Sequence, residues 1–259
     1  MKRNLYGILT VVGALAMITA WTAPAFAQDE MKEKPPMYSY VGFWNIPRAH
    51  WADMEKADAA NQSVLDKAMA DGTIIGYGTD INLVHQPDGA THDNWWSAMS
   101  MAGILSVLDK FYKNGSSTTS VLGSATKHWD SVMVSRYYGW HSGSFKGAYT
   151  RAAEYKLKAD APNDAVETLS KSLFVPLMEK LLADGTILEY EIDTEAIHTQ
   201  DPASFWVIFI ATNADGLDKF NAALRAANKT SPLAGPVIGS MVDFIPHRDY
   251  LSSSTGTYK

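Results

Sequence analysis

Four acidic residues, Glu189, Glu191, Asp193 and Glu195, alternate along one short stretch, ADGTILEYEIDTEAIH, residues 183–198. A period of two puts them on one face of a strand, with Leu188, Tyr190, Ile192, Ala196 and His198 on the other. Carboxyls held close together in a buried site raise one another's pKa and can serve as general acid and base. The same row on an edge strand would only deter aggregation. Both readings stand at this point, and Glu189, Glu191 and Asp193 are the candidate acids and bases of the first.

Two arginines join them as candidates. Arg136 and Arg248 each stand two residues before a tyrosine, Tyr138 and Tyr250, and so share a strand face with it. An arginine beside a tyrosine can bind a carboxylate or a polarised oxygen. It can equally pair with an acid such as Glu154 or Glu191. Trp95, Trp96 and Trp206, with Tyr138, Trp140 and His141, are candidates for lining an apolar ligand pocket, the alternative being that they fill the core. His85 and His198 end two similar strands, but neither has a second histidine at ligand spacing. No metal is expected.

The elements that position these residues occur twice. ADGTIIGYGTDINLVH (70–85) is nearly repeated by 183–198, and Leu108-Asp109-Lys110-Phe111 by Leu217-Asp218-Lys219-Phe220. A period of about 113 residues is too long for a solenoid repeat and suits a duplicated small domain. Within the first copy, composition and periodicity predict a strand at 39–46, a helix at 48–70, strands at 73–85 and 94–101, a helix at 105–113 and a strand at 131–140. The second copy repeats this order at 149–158, 160–183, 186–198, 205–212, 217–227 and 242–250. Pro176 should kink or split its long helix.

The order βαββαβ makes a four-stranded antiparallel sheet with both helices on one face, the ferredoxin-like arrangement. The open face must be covered, and the second copy is the obvious cover. Element order and duplication together resemble the dimeric α/β-barrel superfamily, in which two ferredoxin-like units pack sheet to sheet. That group includes antibiotic-biosynthesis monooxygenase, EthD-like and NIPSNAP-like proteins, chlorite dismutases and dye-decolorising peroxidases. The resemblance implies an α+β fold of two tandem units forming a pseudo-dimeric α/β barrel. In its haem-bearing members a histidine from the helical layer of the second unit holds the iron. Neither helix predicted there contains histidine, so neither haem nor any other cofactor is expected.

The ends of the chain bear on where it works. Lys2 and Arg3, an apolar run from Ile8 to Trp21 and Ala25-Phe26-Ala27 read as a secretory signal peptide cleaved after Ala27. The expected organisation is therefore a signal peptide at 1–27, a flexible N-terminal segment at 28–37, a first unit at 38–142, a second at 143–252 and a tail at 253–259. Such a protein would be periplasmic or secreted, with no membrane anchor. The chain contains no cysteine, so its stability owes nothing to disulfides. Its net charge of −6 argues against nucleic acid as a partner.

Glycine-rich phosphate and dinucleotide motifs and the nucleophile elbow are absent. The expectation is an exported protein that binds a small apolar or aromatic molecule in the tandem barrel. The alternatives are a cofactor-independent oxygenase or isomerase on the same scaffold, a haem protein of chlorite dismutase type, or an assembly protein whose sheet edges join a homo-oligomer.

Overall fold

The computed structural model describes residues 33–115, 119–199, 202–230 and 234–259. The expected signal peptide and residues 28–32 lie outside the described residues. The strands are β1 (Met37–Asn45), β2 (Gly76–Asn82), β3 (His92–Ala98), β4 (Lys127–Trp140), β5 (Gly143–Leu157), β6 (Ile187–Ile197), β7 (Ser204–Ala211) and β8 (Val242–Tyr258). All eight close into one antiparallel barrel in the order β1-β3-β2-β8-β5-β7-β6-β4. The sheet formed by β4, β1, β3 and β2 and the sheet formed by β8, β5, β7 and β6 meet along their edges, through β2–β8 and β4–β6 ladders. Association of the two sheets was expected; edge pairing is the form it takes. Closure leaves neither sheet with a free edge.

The helices cover the outside of the barrel. They are α1 (Trp51–Ala70), α2 (Met101–Asn114), α3 (Ser120–Gly123), α4 (Ala165–Leu169), α5 (Val175–Ala183), α6 (Ala214–Thr230) and α7 (Ala234–Met241). In α2, Ile104, Val107 and Phe111 recur at helical spacing and pack with Leu65 and Ala68 of α1 on Tyr40, Tyr77 and Trp96 of the sheet. Burial of each such side chain stabilises the fold by roughly 1.5–3 kcal/mol. Between α4 and α5 the helix widens into a π-helical turn at Ser170–Phe174, so that Pro176 falls in the first turn of α5, where its missing N–H costs no helical hydrogen bond. The expected split at Pro176 is thus present.

The repeated phrase performs the same task in both copies. Asp71 Oδ1 and Asp184 Oδ1 each accept a hydrogen bond from the backbone N–H two residues on, Thr73 and Thr186, both at 3.0 Å. Between them Gly72 and Gly185 adopt positive φ, 77° and 74°, which ends each helix at little steric cost. A Cβ on Gly103 would lie 2.6 Å from the carbonyl oxygen of Thr73, and one on Gly216 would lie 2.9 Å from that of Thr186.

Several boundaries differ from expectation: β2 is shorter at both ends, α2 and β4 each start four residues early, and the short α3 was not expected. β5 starts at Gly143, α7 was missed, and residues 253–258, read as part of a tail, are the last turns of the β8 ladder against β2 and β5. Their run of small polar residues resembles a linker, but each alternate one faces the barrel interior. Of the segment 28–37, Met37 opens β1 and the Lys34 N–H donates to the Arg136 carbonyl at 3.0 Å.

Candidate functional site

Strand parity decides what fills the barrel. β6 lies between β4 and β7, so it is no edge strand and its acidic row has no anti-aggregation role. Glu189, Glu191, Asp193 and Glu195 all point inward and are buried, Glu189 and Asp193 to 1% exposure. Tyr190 and Ile192 point outward, Tyr190 donating its hydroxyl hydrogen bond to Glu179 on α5 at 2.5 Å. Opposite the acids, inward residues of β2 and β3 are Gly78, Asp80, Asn82, Asp93 and Trp95.

These side chains surround a cavity of about 500 Å³. Eight-stranded barrels have an interior wide enough for one small ligand. Its polar wall is Asp80, Asp93, Glu189 and Glu191, with Ser39 and Ser252; its apolar wall includes Val41, Trp95, Met133, Ile208 and Ile210. Tyr258 closes the lower end, stacked on Trp95 at 5.3 Å and on Trp140 at 5.7 Å, and Tyr138 extends the stack at 5.6 Å from Trp140. Phe43, stacked on Trp129 at 5.2 Å, lines the cavity near the opposite ends of β1 and β4, with the loop from Gln86 to Ala90, Pro246 and Arg248.

Burial governs the electrostatics. Glu191 is pushed up to about 7 by desolvation, although Ser39 donates to its Oε2 at 3.2 Å. Burial also raises Glu189, and the charges of Glu191 and Asp193 push it further, well above the ordinary carboxylate range. Asp193 rises the same way, through burial and then the Glu191 charge. Asp80 accepts from Trp95 Nε1 at 3.1 Å and from Ser254, yet burial still raises its pKa. Asp80 and Asp93 are directly opposite each other across the β2–β3 ladder. Burial and the charge of Asp80 raise the pKa of Asp93 well above the ordinary carboxylate range. The accessible part of Asp93 faces the cavity.

Among the described residues, Glu189 Oε1 is a buried carboxyl oxygen with no hydrogen-bond partner, and the Asp193 carboxyl has at most the nearby Ser135 hydroxyl. Buried acceptors left this way cost free energy that a ligand with donors would recover.

Of the sequence candidates, the cavity therefore gathers Glu189, Glu191, Arg248, Trp95 and Trp206, with Asp193 on the same inner face. Arg248 sits exposed at the mouth, opposite Glu154 on β5, and Tyr250 donates to Glu154 at 3.1 Å. Arg136 is not its counterpart. A bulge between Ser135 and Tyr137 breaks the alternation of β4, and Arg136 lies on the surface, paired with Glu33 at 2.7 Å.

Trp96, next to an inward residue, necessarily faces outward; it stacks on Tyr40 at 4.1 Å in the helix-side core. Trp140 and Tyr138 support the floor from below, donating to the carbonyls of Lys259 at 3.0 Å and Pro35 at 2.9 Å. His141 lies 2.7 Å from the Leu182 carbonyl near the end of α5, away from the cavity. Sequence reasoning missed Asp80 and Asp93 as a pair, together with Ser39, Ser254 and Tyr258. Asp80 was on the face aligned with the acidic row, so parity alone could have found it.

Among the described residues no group of three or more histidine, cysteine or acidic side chains is placed to hold a metal ion. A haem does not fit either: α4, α5 and α6 carry no histidine, and the layer beneath them is packed by Leu169, Phe174, Met178, Phe205, Phe209 and Phe220. No helix among the described residues is long and apolar enough to cross a membrane.

No protein-family profile and no curated protein sequence matches the chain. Solved structures do share its fold. A "putative monooxygenase" from Lactobacillus acidophilus NCFM superposes with a TM-score of 0.60 at 12% identity, over 87% of this chain and 97% of that one. Another "putative monooxygenase", from Fusobacterium nucleatum subsp. nucleatum, gives 0.63 at 8% identity, over 87% and 95%. At these identities the likeness defines a class of α/β barrels and no activity.

Proposed function

We propose that this chain is an exported binder of one small, largely apolar or aromatic molecule, held inside a barrel made of two tandem ferredoxin-like units. The observation that carries the reading is the cavity of about 500 Å³, walled by Trp95, Trp206, Ile208 and Ile210, with polar groups from β2, β3 and β6 converging on it. The duplication is supported by the matching strand orders of the two sheets and by the matching helix stops at Asp71 and Asp184. Export rests on the leader sequence alone, and predicts a mature N-terminus at Gln28.

The test is native mass spectrometry of the protein taken from the periplasm of its producing cells. One bound small molecule per chain is expected. Protein that leaves the periplasm empty and gains no thermal stability from a panel of flat aromatic compounds would overturn the reading.

A second reading is favoured by the carboxyl cluster. Glu191, with a pKa near 7, has the proton affinity suited to moving a proton to and from a bound molecule at neutral pH. Glu189 and Asp193 would then hold protons beside it, and Arg248 would stand at the entrance. That is the equipment of a cofactor-independent isomerase or oxygenase, the latter in keeping with the names of the two fold neighbours. A compound consumed by the wild type and bound but not consumed by Glu191→Gln is the expected sign; turnover that survives this substitution sinks it.

A further inference from the structure

We infer that the ligand of the barrel is an organic cation, a protonated amine carried on an aromatic or apolar body. The inference rests on the binding reading above and specifies the chemistry of what is bound.

The argument is one of charge and of unfilled hydrogen bonds. Four carboxyls, Asp80, Asp93, Glu189 and Glu191, line the same enclosed space from β2, β3 and β6, and a fifth, Asp193, stands on the same inner face of β6. The charged groups that share this lumen with them are Glu154, Arg248 and Asp88 near its mouth and Glu195 on the inner face of β6, and the ionisable phenol of Tyr258 forms its floor. Arg248 is solvent-exposed and sits opposite Glu154, so it does not neutralise the deep acids. In the empty barrel, protons must do that, and burial raises the affinity of all five for them.

Glu189 gives the second, independent observation. It lines the cavity, is 1% exposed, and its Oε1 has no hydrogen-bond partner. The protein has already supplied donors to Asp80, from Trp95 and Ser254, and to Glu191, from Ser39. The vacant acceptor on Glu189 calls for a donor from the ligand. A neutral donor would fill the hydrogen bond but leave the ionised form of Glu191 uncompensated in a low-dielectric site. An ammonium group answers both. The rings of Trp95, Trp206 and Tyr258 border the same cavity and suit a cation with an aromatic or apolar body.

The cation takes the place of protons, so binding near neutral pH releases a proton from the cluster. This gives the test a readout that shape alone would not produce. Binding of 2-phenylethylamine, 2-phenylethanol and phenylacetate to the mature protein is measured by titration calorimetry at pH 7 in two buffers of different ionisation enthalpy. The amine is expected to bind at least ten times more tightly than the alcohol of the same shape, and phenylacetate most weakly. The heat of amine binding should change with the buffer, and that of alcohol binding should not.

Glu189→Gln should weaken the amine about tenfold while changing the alcohol less than threefold. Glu191→Gln should do the same and abolish most of the buffer dependence. If the alcohol or the acid binds as tightly as the amine, the cation inference fails and the binding reading stands. If none of the three binds, both fail.

Discussion

At the residue scale, two positions of the repeat explain each other. Where one copy has Glu189 and Glu191, the other has Gly76 and Gly78, and both pairs face the same lumen. A Cβ on Gly76 would lie 2.4 Å from the ring of Tyr258, and one on Gly78 would lie 2.6 Å from Trp95 and 2.8 Å from the Thr255 carbonyl. The glycines leave room for the aromatic floor, and the glutamates supply the polar wall. Gly78→Ala should therefore cost about 1–3 kcal/mol, read from urea unfolding, because the indole and a backbone carbonyl must both move.

Glu191 makes a prediction of opposite sign. Its folded pKa of about 7 exceeds the ordinary 4.5, so the folded state holds its proton more tightly than the unfolded state. Between those two values the unfolded chain has lost the proton and the native chain has kept it, so stability falls as pH rises. Glu189 and Asp193, raised further, extend the fall above pH 7. Glu191→Gln should leave stability at pH 4 unchanged and raise it at pH 8 by on the order of 2 kcal/mol. Ser39 can still donate to the amide oxygen. A melting temperature that drops equally at both pH values would contradict the assignment.

At the scale of elements, β8 carries more than its sequence suggests. Residues 253–258 pair with β2 on one side and β5 on the other, place Ser254 on Asp80, and deliver Tyr258 to the floor. Ending the chain at Ser252 should open the barrel, expose apolar surface to a hydrophobic dye and leave the protein unfolded or aggregated. Tyr258→Ala alone should cost about 3–5 kcal/mol in denaturant unfolding, as loss of a buried aromatic does. The eight strands and the longer helices were legible because periods of 2 and 3.6 survive in sequence, and so was the inward set of β6.

Other features were not legible, for identifiable reasons. SSSTG reads as a linker because small polar residues inside a barrel give no hydrophobic alternation. The bulge at Arg136 inverts a face by one inserted residue, which a period of two cannot register in advance. Trp96 was grouped with Trp95 by type, although neighbours in a strand face opposite ways. Whether the acidic row was buried depended on β4 covering β6, a contact between residues about 57 positions apart.

At the scale of the molecule, closure makes each half the other's edge. Separated halves would each expose two unpaired strands, β2 and β4 in the first, β6 and β8 in the second. Neither should persist as a folded monomer. Each can rebuild a barrel by pairing with a second copy of itself, but the two homodimers differ in what they enclose. Two copies of residues 33–142 would bring together two sets of Gly78, Asp80 and Asp93. Two copies of 143–259 would confront two rows of Glu189, Glu191, Asp193 and Glu195, doubling the acids of β6 inside one lumen.

Like charges in a low-dielectric space disfavour ionisation and then assembly. The second-half dimer should consequently form near pH 5 and dissociate by pH 8, while the first-half dimer is less sensitive over that range. Sedimentation equilibrium and far-UV circular dichroism across pH measure both. Equal pH sensitivity of the two halves, or a stable folded monomer of either, would contradict this account of how the acidic row and the glycine face are distributed. Mixing the halves should give the heterodimer in preference to either homodimer, because only that pairing sets one acidic row beneath the aromatic floor that the opposing glycines admit.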